Sequence, residues 1–306
     1  MIINVFDLSK WYGQVIAVNN LTFSIDPGVT GFLGPNGAGK TTLMRMLIGQ
    51  LKPSQGTLTI DGDTIWNNDT LMRRIGYCPE QDAFWYFLSG KEFVQALVRM
   101  HGYNQDETEE KTDWAIRLVN MEKDQNRKIG SYSKGMRQRI KLAQAIAHDP
   151  DILFLDEPLN GLDPMGRHLV MDLIKSWGKA GKIVVVSSHI LHEVEAMTDS
   201  ILLINHGRLL AQGTIYEIRK LIDSHPLHVT VRCDQVDRLT AKLMSFNDVL
   251  SVQFDREKNQ VTVETNQPDL FHKRLPELAL KEKMKIQSLW SPDENLEAIF
   301  DYLVGE

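Results

Sequence analysis

The sequence predicts an α/β fold, with a mostly parallel sheet covered by helices, followed by a small α+β domain. Strand-like apolar segments alternate with helical patterns over residues 1–222, which is typical of a parallel sheet with helices on both faces. A glycine-rich turn at residues 34–41 joins a buried strand to a helix. From residue 226 onward, apolar and polar residues alternate with period two, as in half-buried strands. We therefore predict a first domain over residues 1–222 and an accessory domain over residues 226–306.

The first part of the chain is predicted to be rich in strands. These are residues 2–8, 21–25, 29–33, 57–62 and 73–77. The third of them, "VTGFL", is predicted to be buried and runs directly into the glycine-rich turn. The helical pattern "TTLMRMLIGQL" follows that turn and stops before Pro53, which cannot continue a helix.

The middle of the chain changes to helical texture over about residues 84–148, which predicts a helical subdomain inserted into the α/β core. The core resumes with "DILFLDEP" at residues 151–158, an apolar strand that ends in two carboxylates. A helix at 164–180, the strand "KIVVVSSH" and the helix "ILHEVEAMT" complete the predicted first domain.

The accessory domain is predicted to be a small α+β unit with a ferredoxin-like pattern. A boundary is predicted near residues 223–226. The predicted strands are residues 227–233, 249–255 and 260–266, and the predicted helices are residues 235–245, 268–280 and 291–304. The last helix begins with Ser291 three residues before Glu294, the spacing of a capping box. Nothing in this segment indicates chemistry, and we expect a packing or dimer-stabilising role.

Composition limits the classes of function. The net charge is −6 with a pI of about 5.9, which argues against a nucleic-acid-binding protein. Cys78 and Cys233 are far apart without metal-ligand spacing, and we expect no disulfide framework. The first residues do not resemble a signal peptide, and no apolar run approaches the ~18 residues of a membrane span. A role at a membrane would therefore require the membrane part from another chain.

The strongest motif is "GPNGAGKT", which fits the phosphate-binding loop pattern between a strand and a helix. Glycines at positions 34, 37 and 39 allow backbone N–H groups to surround the phosphates of a nucleotide. Lys40 adds a positive charge, and the hydroxyl of Thr41 is a ligand for Mg²⁺. The predicted phosphate-binding residues are Gly34, Pro35, Asn36, Gly37, Ala38, Gly39, Lys40, Thr41 and Thr42.

The carboxylates that end "ILFLDE" supply a Mg²⁺ ligand and a general base, which the phosphate loop lacks. Asp156 ends a buried strand and is predicted to hold Mg²⁺ together with Thr41. Glu157 is predicted to be the general base that polarises the attacking water.

Two further residues are predicted to lie at the nucleotide because of where they occur in the sequence. His189 ends the next core strand, and strand carboxyl ends meet at the ligand crevice of an open sheet, so we expect His189 at the γ-phosphate. Tyr12 precedes the loop and is predicted to stack on the base, a role for which Trp11 competes.

The segment "IGSYSKGMRQRI" at residues 129–140 predicts a second anion site. Ser133 and Gly135 open a helix, whose N-terminal N–H groups and positive dipole end favour an anion. For Arg137 and Arg139, on the same helix, we expect an ordinary solvated face. The phosphate loop lies about 90 residues earlier, so the sequence poses the question of whose anion this second site binds.

These motifs, in this order, resemble the ATP-binding subunits of ABC transporters. "GPNGAGKT", "YSKGM", "LFLDEP", "NGLDP" and "SSH" carry the resemblance, which covers roughly residues 1–222. The subgroup that exports substrates through a separately encoded permease is the most similar. The resemblance implies the ABC-type P-loop fold, with antiparallel N-terminal strands and an inserted helical subdomain.

The resemblance also implies a mechanism. Two copies or homologues would face each other head to tail, with Ser133 and Gly135 closing over the γ-phosphate of ATP held by the partner. Asp163 in "NGLDP" would couple the two sites across the dimer. ATP and Mg²⁺ are the implied ligands. An integral-membrane permease is the implied partner, at the cytoplasmic face of the membrane, and no nucleic acid is expected.

The sequence departs from the family in two places. The signature has Tyr132, Lys134 and Met136 where the commonest form has Leu, Gly and Gln. In "GYCPEQDAF", Glu80 occupies the position that is usually glutamine, and Gln81 follows it. Either residue is a candidate for Mg²⁺ or the attacking water, and the sequence leaves both open.

The aromatic run "AFWYFLSG" at residues 83–90 has two interpretations. One is core packing of the helical subdomain, since aromatic residues dominate protein cores. The other is a partly exposed pocket for a helix of the permease, because aromatic anchors are common at interfaces.

Three functions are compared. A transporter ATPase is favoured over a soluble ABC-type ATPase acting on nucleic acid or ribosomes, because the chain has one phosphate loop, no heptad run and an acidic balance. A regulatory nucleotide-gated module without turnover is disfavoured, because Lys40, Glu157 and His189 are all present.

Overall fold

The structure, a computed structural model, describes residues 1–220 and 226–291. The chain divides into two compact units, Met1–Thr214 and Ile215–Glu306. This division lies earlier than the predicted break at residues 223–226, most of which falls outside the described residues. The predicted helix at residues 291–304 also lies outside them, apart from Ser291 itself.

An antiparallel sheet forms the N-terminal part of the first unit. Its strands are β1 Ile3–Tyr12, β2 Val15–Ile25, β4 Gln55–Ile60 and β5 Asp63–Thr64, in the order β2-β1-β4-β5. The observed β1 extends beyond the prediction. The pairing of β1 with β2 shifts register between Val5 and Leu8, and Asp7 has a φ of 48°. This irregularity breaks the period-two pattern on which the prediction depended.

The main sheet of the first unit is mostly parallel, as predicted. Its strands are β3 Gly28–Leu33, β6 Ile75–Cys78, β7 Ile152–Asp156, β8 Ile183–Ser188, β9 Ser200–Asn205 and β10 Arg208–Thr214. They lie in the order β10-β9-β3-β8-β7-β6, and only the edge strand β10 runs antiparallel to its neighbour. The carboxyl ends of β3, β8, β7 and β6 therefore meet at one edge of the sheet.

The β9–β10 hairpin was not predicted from the sequence. Its two-residue turn consists of His206 and Gly207, with φ values of 46° and 73°, as a hairpin of this length requires. Gly207 donates its N–H to Ala38 O (2.9 Å) and accepts from Asn19 N (2.8 Å). The turn therefore supports the glycine-rich loop.

Helices cover both faces of this sheet. They are α1 Lys40–Leu47, α2 Asp69–Met72, α3 Gly90–Met100, α4 Gln105–Leu118, α5 Lys134–Ile146, α6 Pro164–Lys179 and α7 Leu191–Glu195. α3, α4 and α5 contact one another and form the predicted helical subdomain. Capping boxes begin α3 and α4, with Ser89 paired to Glu92 and Asn104 to Glu107.

The buried strand β7 separates two hydrophobic clusters. Leu153 and Leu155 pack into the cluster that contains the helical subdomain, whereas Ile152 and Phe154 pack with β1 and α1 on the other side. All of these side chains are at most 1% exposed. Burial on both faces explains why this strand is apolar throughout its sequence.

The second unit has a ferredoxin-like element order. Its elements are α8 Ile215–Lys220, β11 Leu227–Cys233, α9 Val236–Leu243, β12 Val249–Asp255, β13 Gln260–Thr265, α10 Pro268–Glu282 and β14 Ile286–Trp290. The strands lie in the order β12-β13-β11-β14, with all neighbours antiparallel. Val229, Val263 and Phe271 belong to a hydrophobic cluster of this unit. The strand β14 was not predicted from the sequence.

Candidate functional site

The phosphate loop joins β3 to α1 and is confined by two neighbouring strands. A Cβ atom on Gly34 would lie 2.1 Å from Ile204 O of β9. A Cβ atom on Gly39, which has a φ of 103°, would lie 2.4 Å from Ala17 O of β2. Only glycine fits at either position, and the backbone of the loop is therefore packed tightly at the edge of the sheet.

Lys40 is the first residue of α1, and its side chain is buried. Its Nζ atom donates to Gly34 O (2.6 Å) and Pro35 O (3.1 Å). Burial lowers the pKa of Lys40, and the charges of Glu157, Asp156 and Glu80 partly oppose that effect. The buried ammonium is thus held by loop carbonyls in a position where an anionic ligand would stabilise its charge.

Thr41 and Asp156 are brought together as the sequence predicts. The Thr41 hydroxyl donates to Asp156 Oδ2 at 2.9 Å, and Ser187 Oγ donates to Asp156 Oδ1 at 2.5 Å. Asp156 is only 1% exposed. A hydroxyl and a carboxylate are the hard oxygen ligands that Mg²⁺ prefers, usually completed by water and substrate phosphates. This pair therefore fits the implied Mg²⁺.

Glu157 lies at the turn that follows β7, in an unusual backbone conformation. Its φ is 50°, which costs free energy for a non-glycine residue, and its N–H donates to Ser187 Oγ at 3.0 Å. Burial raises the pKa of the Glu157 carboxyl, while the hydrogen bond and charge of His189 partly offset this rise. A carboxylate with increased proton affinity suits a general base.

His189 follows β8 and contacts the proposed base directly. Its Nδ1 atom lies 2.9 Å from Glu157 Oε1. When the carboxylate is ionised it can only accept, so Nδ1 carries the proton of this bond. The imidazole side chain is 43% exposed, and Nε2 is the ring nitrogen that does not bond to Glu157.

Glu80 and Gln81, both exposed, lie in the segment after β6 but face different neighbours. The charge of Glu80 acts on Lys40 of the phosphate loop. Gln81 lines the groove described below. Glu80 therefore interacts through its charge with the phosphate loop, whereas Gln81 belongs to the lining of the groove.

The second anion site lies at the start of α5. Ser133 is the N-cap residue, and its Oγ atom accepts from Met136 N at 3.2 Å. Gly135 lies close to the backbone of another loop, since a Cβ there would be 3.1 Å from Gly161 O. Lys134 donates from Nζ to Asn160 Oδ1 at 3.0 Å. The signature segment therefore packs against residues 160–161 of its own chain while Ser133 stays exposed.

The expectation that Arg137 and Arg139 form a solvated face was wrong. Arg137 Nε lies 2.7 Å from Asp82 Oδ2, and its Nη1 atom donates to Tyr132 O at 2.6 Å. Arg139 Nη2 lies 3.4 Å from Asp163 Oδ1. The sequence did not reveal these pairs because both acids lie in loops that are distant along the chain.

Asp163 is the N-cap residue of α6. Its Oδ1 atom accepts from Gly166 N at 3.1 Å, and Pro164 follows at the first helical position. The side chain is 65% exposed. This placement is compatible with the predicted role at a dimer interface.

Tyr12 and Trp11 end β1, and both are exposed. Tyr12 lines the groove described below, and Lys10 Nζ lies 5.5 Å from the centroid of its ring. Trp11 is 44% exposed and Tyr12 48%.

Two residues that organise the site were not predicted from the sequence. Ser187 bonds both to Asp156 Oδ1 and to Glu157 N, and the only signal was its place in "SSH". Gln138 is buried on α5 and donates from Nε2 to Pro158 O at 2.9 Å. A polar residue between two arginines gives no hint of burial, so the sequence could not identify this link between α5 and the end of β7.

A groove of about 720 Å³ lies beside the helical subdomain. Each of the two interpretations of the aromatic run holds for part of it. Phe84 is buried, with its ring centroid 5.0 Å from that of Phe93, whereas Trp85 lines the groove and is 42% exposed. Tyr86 and Phe87 are 50% and 71% exposed. The run thus supplies both core packing and an exposed aromatic surface.

None of the helices in residues 1–220 and 226–291 combines the length and the apolar character needed to cross a bilayer.

The geometry of this site defines a P-loop ATPase. The carboxyl edge of a parallel sheet carries a phosphate loop, a hydroxyl–carboxylate pair suited to Mg²⁺ and a Glu–His pair. Residues 18–160 match the protein family described as "ABC transporter". The Nod factor export ATP-binding protein I of Cupriavidus metallidurans (strain CH34) is 33% identical over 309 residues, covering 99% of this chain and 97% of that protein. The daunorubicin/doxorubicin resistance ATP-binding protein DrrA of Streptomyces peucetius is 31% identical over 300 residues, covering 97% and 91%.

Solved structures agree with the sequence relatives. The structure of an ATP-binding subunit of an ABC transporter matches with a TM-score of 0.67 and 28% identity, covering 72% of this chain and 93% of that one. The chain therefore belongs to the ATP-binding subunits of ABC transporters. The resemblance predicted from the motifs is confirmed, and the protein is an ATPase that powers a transporter.

Proposed function

We propose that two copies or homologues of this subunit face each other head to tail, with Ser133 and Gly135 of each closing over the γ-phosphate held by the other. The observation that supports this arrangement is the exposed N-cap at Ser133, where a helix start offers donors to an anion. Asp163 would lie at the same interface.

Within each site, roles follow for the phosphate loop, the Mg²⁺ ligands, the Glu157–His189 pair and Tyr12. Backbone N–H groups of the phosphate loop and Lys40 bind the β- and γ-phosphates. Thr41 and Asp156 hold Mg²⁺, which neutralises phosphate charge when it is bound. Glu157 accepts the proton of the attacking water, His189 contacts the γ-phosphate through Nε2, and Tyr12 stacks on the base.

The groove beside the helical subdomain is proposed to receive a helix of an integral-membrane permease. The exposed side chain of Trp85 in this groove is the type of aromatic anchor that interfaces use. Such docking places the subunit at the cytoplasmic face of the membrane. The similar proteins named above belong to export and drug-resistance systems, and we propose export here as well.

The head-to-tail arrangement is tested by mixing two inactive variants. Ser133→Arg blocks the cap that a chain donates, and Lys40→Ala removes the phosphate ligand of its own loop. A mixed dimer still contains one intact site, made from the Lys40 of one chain and the Ser133 of the other. We expect neither variant alone to hydrolyse ATP, and the mixture to recover a measurable part of the wild-type rate.

Ser131→Arg provides the matched control, because Ser131 is exposed in the same segment but precedes the helix start. We expect it to retain hydrolysis. If the mixture recovers no activity although both variants form dimers, each site is contained within a single chain and the proposal is wrong.

A further inference from the structure

The segment that follows β6 serves two surfaces at once. Gln81, Phe84 and Trp85 line the groove. Asp82, between them in sequence, forms ion pairs with α5: its Oδ2 atom lies 2.7 Å from Arg137 Nε, and its Oδ1 atom lies 3.1 Å from Lys141 Nζ. One carboxylate thus joins the groove-lining segment to the signature helix.

Arg137 and Lys141 are four residues apart and therefore lie on one face of α5. The Lys141 side chain is only 5% exposed, and its Nζ atom also donates to Glu80 O at 2.7 Å. A buried ammonium is stable only when its partners remain in place. Burial alone would raise the pKa of Asp82, but the hydrogen bonds from Lys141 and Arg137 outweigh it, and the pKa is lowered. The carboxylate is therefore strongly held in its charged form.

Arg137 extends the connection to the start of the helix. Its Nη1 atom donates to Tyr132 O at 2.6 Å, and Tyr132 directly precedes the N-cap residue Ser133. A displacement of Asp82 therefore reaches the backbone beside Ser133 through one guanidinium group.

The position of α5 does not depend on Asp82. Gln144 Nε2 donates to Tyr77 O at 2.7 Å, and Gln138 Nε2 donates to Pro158 O at 2.9 Å. These bonds hold the helix against the ends of β6 and β7. Loss of the Asp82 charge should leave α5 against the sheet, release the segment after β6 and leave Arg137 without the partner that fixes it beside Tyr132.

We infer that Asp82, Arg137 and Lys141 form a positioning clasp that couples the groove to the signature segment. In this arrangement, movement of residues 79–85 in the groove changes the placement of Ser133, and closure of Ser133 on a nucleotide changes residues 79–85. The inference rests on the proposed function, because it assigns Ser133 to the nucleotide of the partner.

The first test is the kinetics of the full chain. We expect Asp82→Asn to lower the kcat of ATP hydrolysis about tenfold, because a charge-assisted hydrogen bond that positions the signature segment is lost. The KM for ATP should not change, because the nucleotide contacts are intact. Asp82→Glu should restore kcat. An unchanged kcat in Asp82→Asn would overturn the inference.

Hydrogen exchange provides the second test, on full-length chains that carry Glu157→Gln and are saturated with Mg·ATP. We expect ATP to change amide protection in residues 79–87 and 129–137 together. In chains that also carry Asp82→Asn, the change in residues 79–87 should be abolished, whereas the change in residues 129–137 should persist. Asp149→Asn is the matched control, since it removes the 2.7 Å pair with Lys182 at an exposed site. It should alter neither change.

The outcomes separate the two proposals. A response at residues 79–87 that persists in Asp82→Asn contradicts the clasp. Absence of any response at residues 129–137 in the parent Glu157→Gln chain contradicts the head-to-tail function, and with it the basis of the clasp.

Discussion

Glu157 and His189 show how burial and one hydrogen bond act against each other on a single carboxyl group. Burial favours the protonated acid, and the 2.9 Å contact with His189 Nδ1 favours the ionised base. The net effect is a raised pKa. Hydrolysis through Glu157 needs the ionised form, so activity should fall as the pH drops through a pKa above that of an exposed glutamate.

His189→Ala should move the acidic limb of the pH profile, where activity is lost as the pH falls, to higher pH. The substitution removes the donor that stabilises the carboxylate and leaves the burial, so the pKa of Glu157 rises further. The measurement is the residual kcat/KM for ATP as a function of pH. His189→Gln is the control, because an amide can donate to Glu157 without titrating, and its limb should lie close to that of the wild type. A limb that moves to lower pH in His189→Ala would contradict the assignment of Glu157 as the base.

At the scale of elements, two neighbouring residues of the segment after β6 compete for one role. Glu80 acts on Lys40, whereas Gln81 lines the groove. We therefore expect Glu80→Ala to reduce ATP hydrolysis by the isolated chain about tenfold, as for other groups positioned at a developing charge. Gln81→Ala should have a smaller effect. Steady-state hydrolysis by both variants decides the point.

The control for this comparison is Glu80→Gln, which restores the residue that the family usually carries. Its rate should lie near that of the wild type. A larger loss in Gln81→Ala than in Glu80→Ala would assign the role to Gln81 instead.

A feature of this fold or site could be predicted from the sequence when the residues that signal it lie close together along the chain. The phosphate loop and the strand that ends in Asp156 were predictable, because their residue types and spacing lie within one short segment. The β9–β10 hairpin was missed because its His–Gly turn is not among the strongest turn signals. The clasp at Asp82 was missed because its partner Arg137 lies 55 residues away, and only the folded chain shows that they meet.

At the scale of the whole molecule, the two compact units have separate hydrophobic clusters, two in the first unit and one in the second over the part of the chain that the structure describes. The first unit contains every residue assigned to the nucleotide site, up to His189. The second has a sheet and two helices that bury Val229, Val263 and Phe271 among themselves. We expect a unit with its own core to fold without the other.

Deletion of residues 226–306 should therefore leave ATP hydrolysis by the remaining chain intact. The reason is that Lys40, Asp156 and Glu157 are held by bonds within the first unit, such as that between Thr41 Oγ1 and Asp156 Oδ2 at 2.9 Å. The measurement is kcat and KM for ATP, with thermal unfolding followed by circular dichroism to verify that the truncated chain is folded. If the second unit serves only to stabilise a dimer, the truncated chain should reach the same kcat at a higher protein concentration. A folded truncated chain that is inactive at every concentration would instead give the second unit a direct part in hydrolysis.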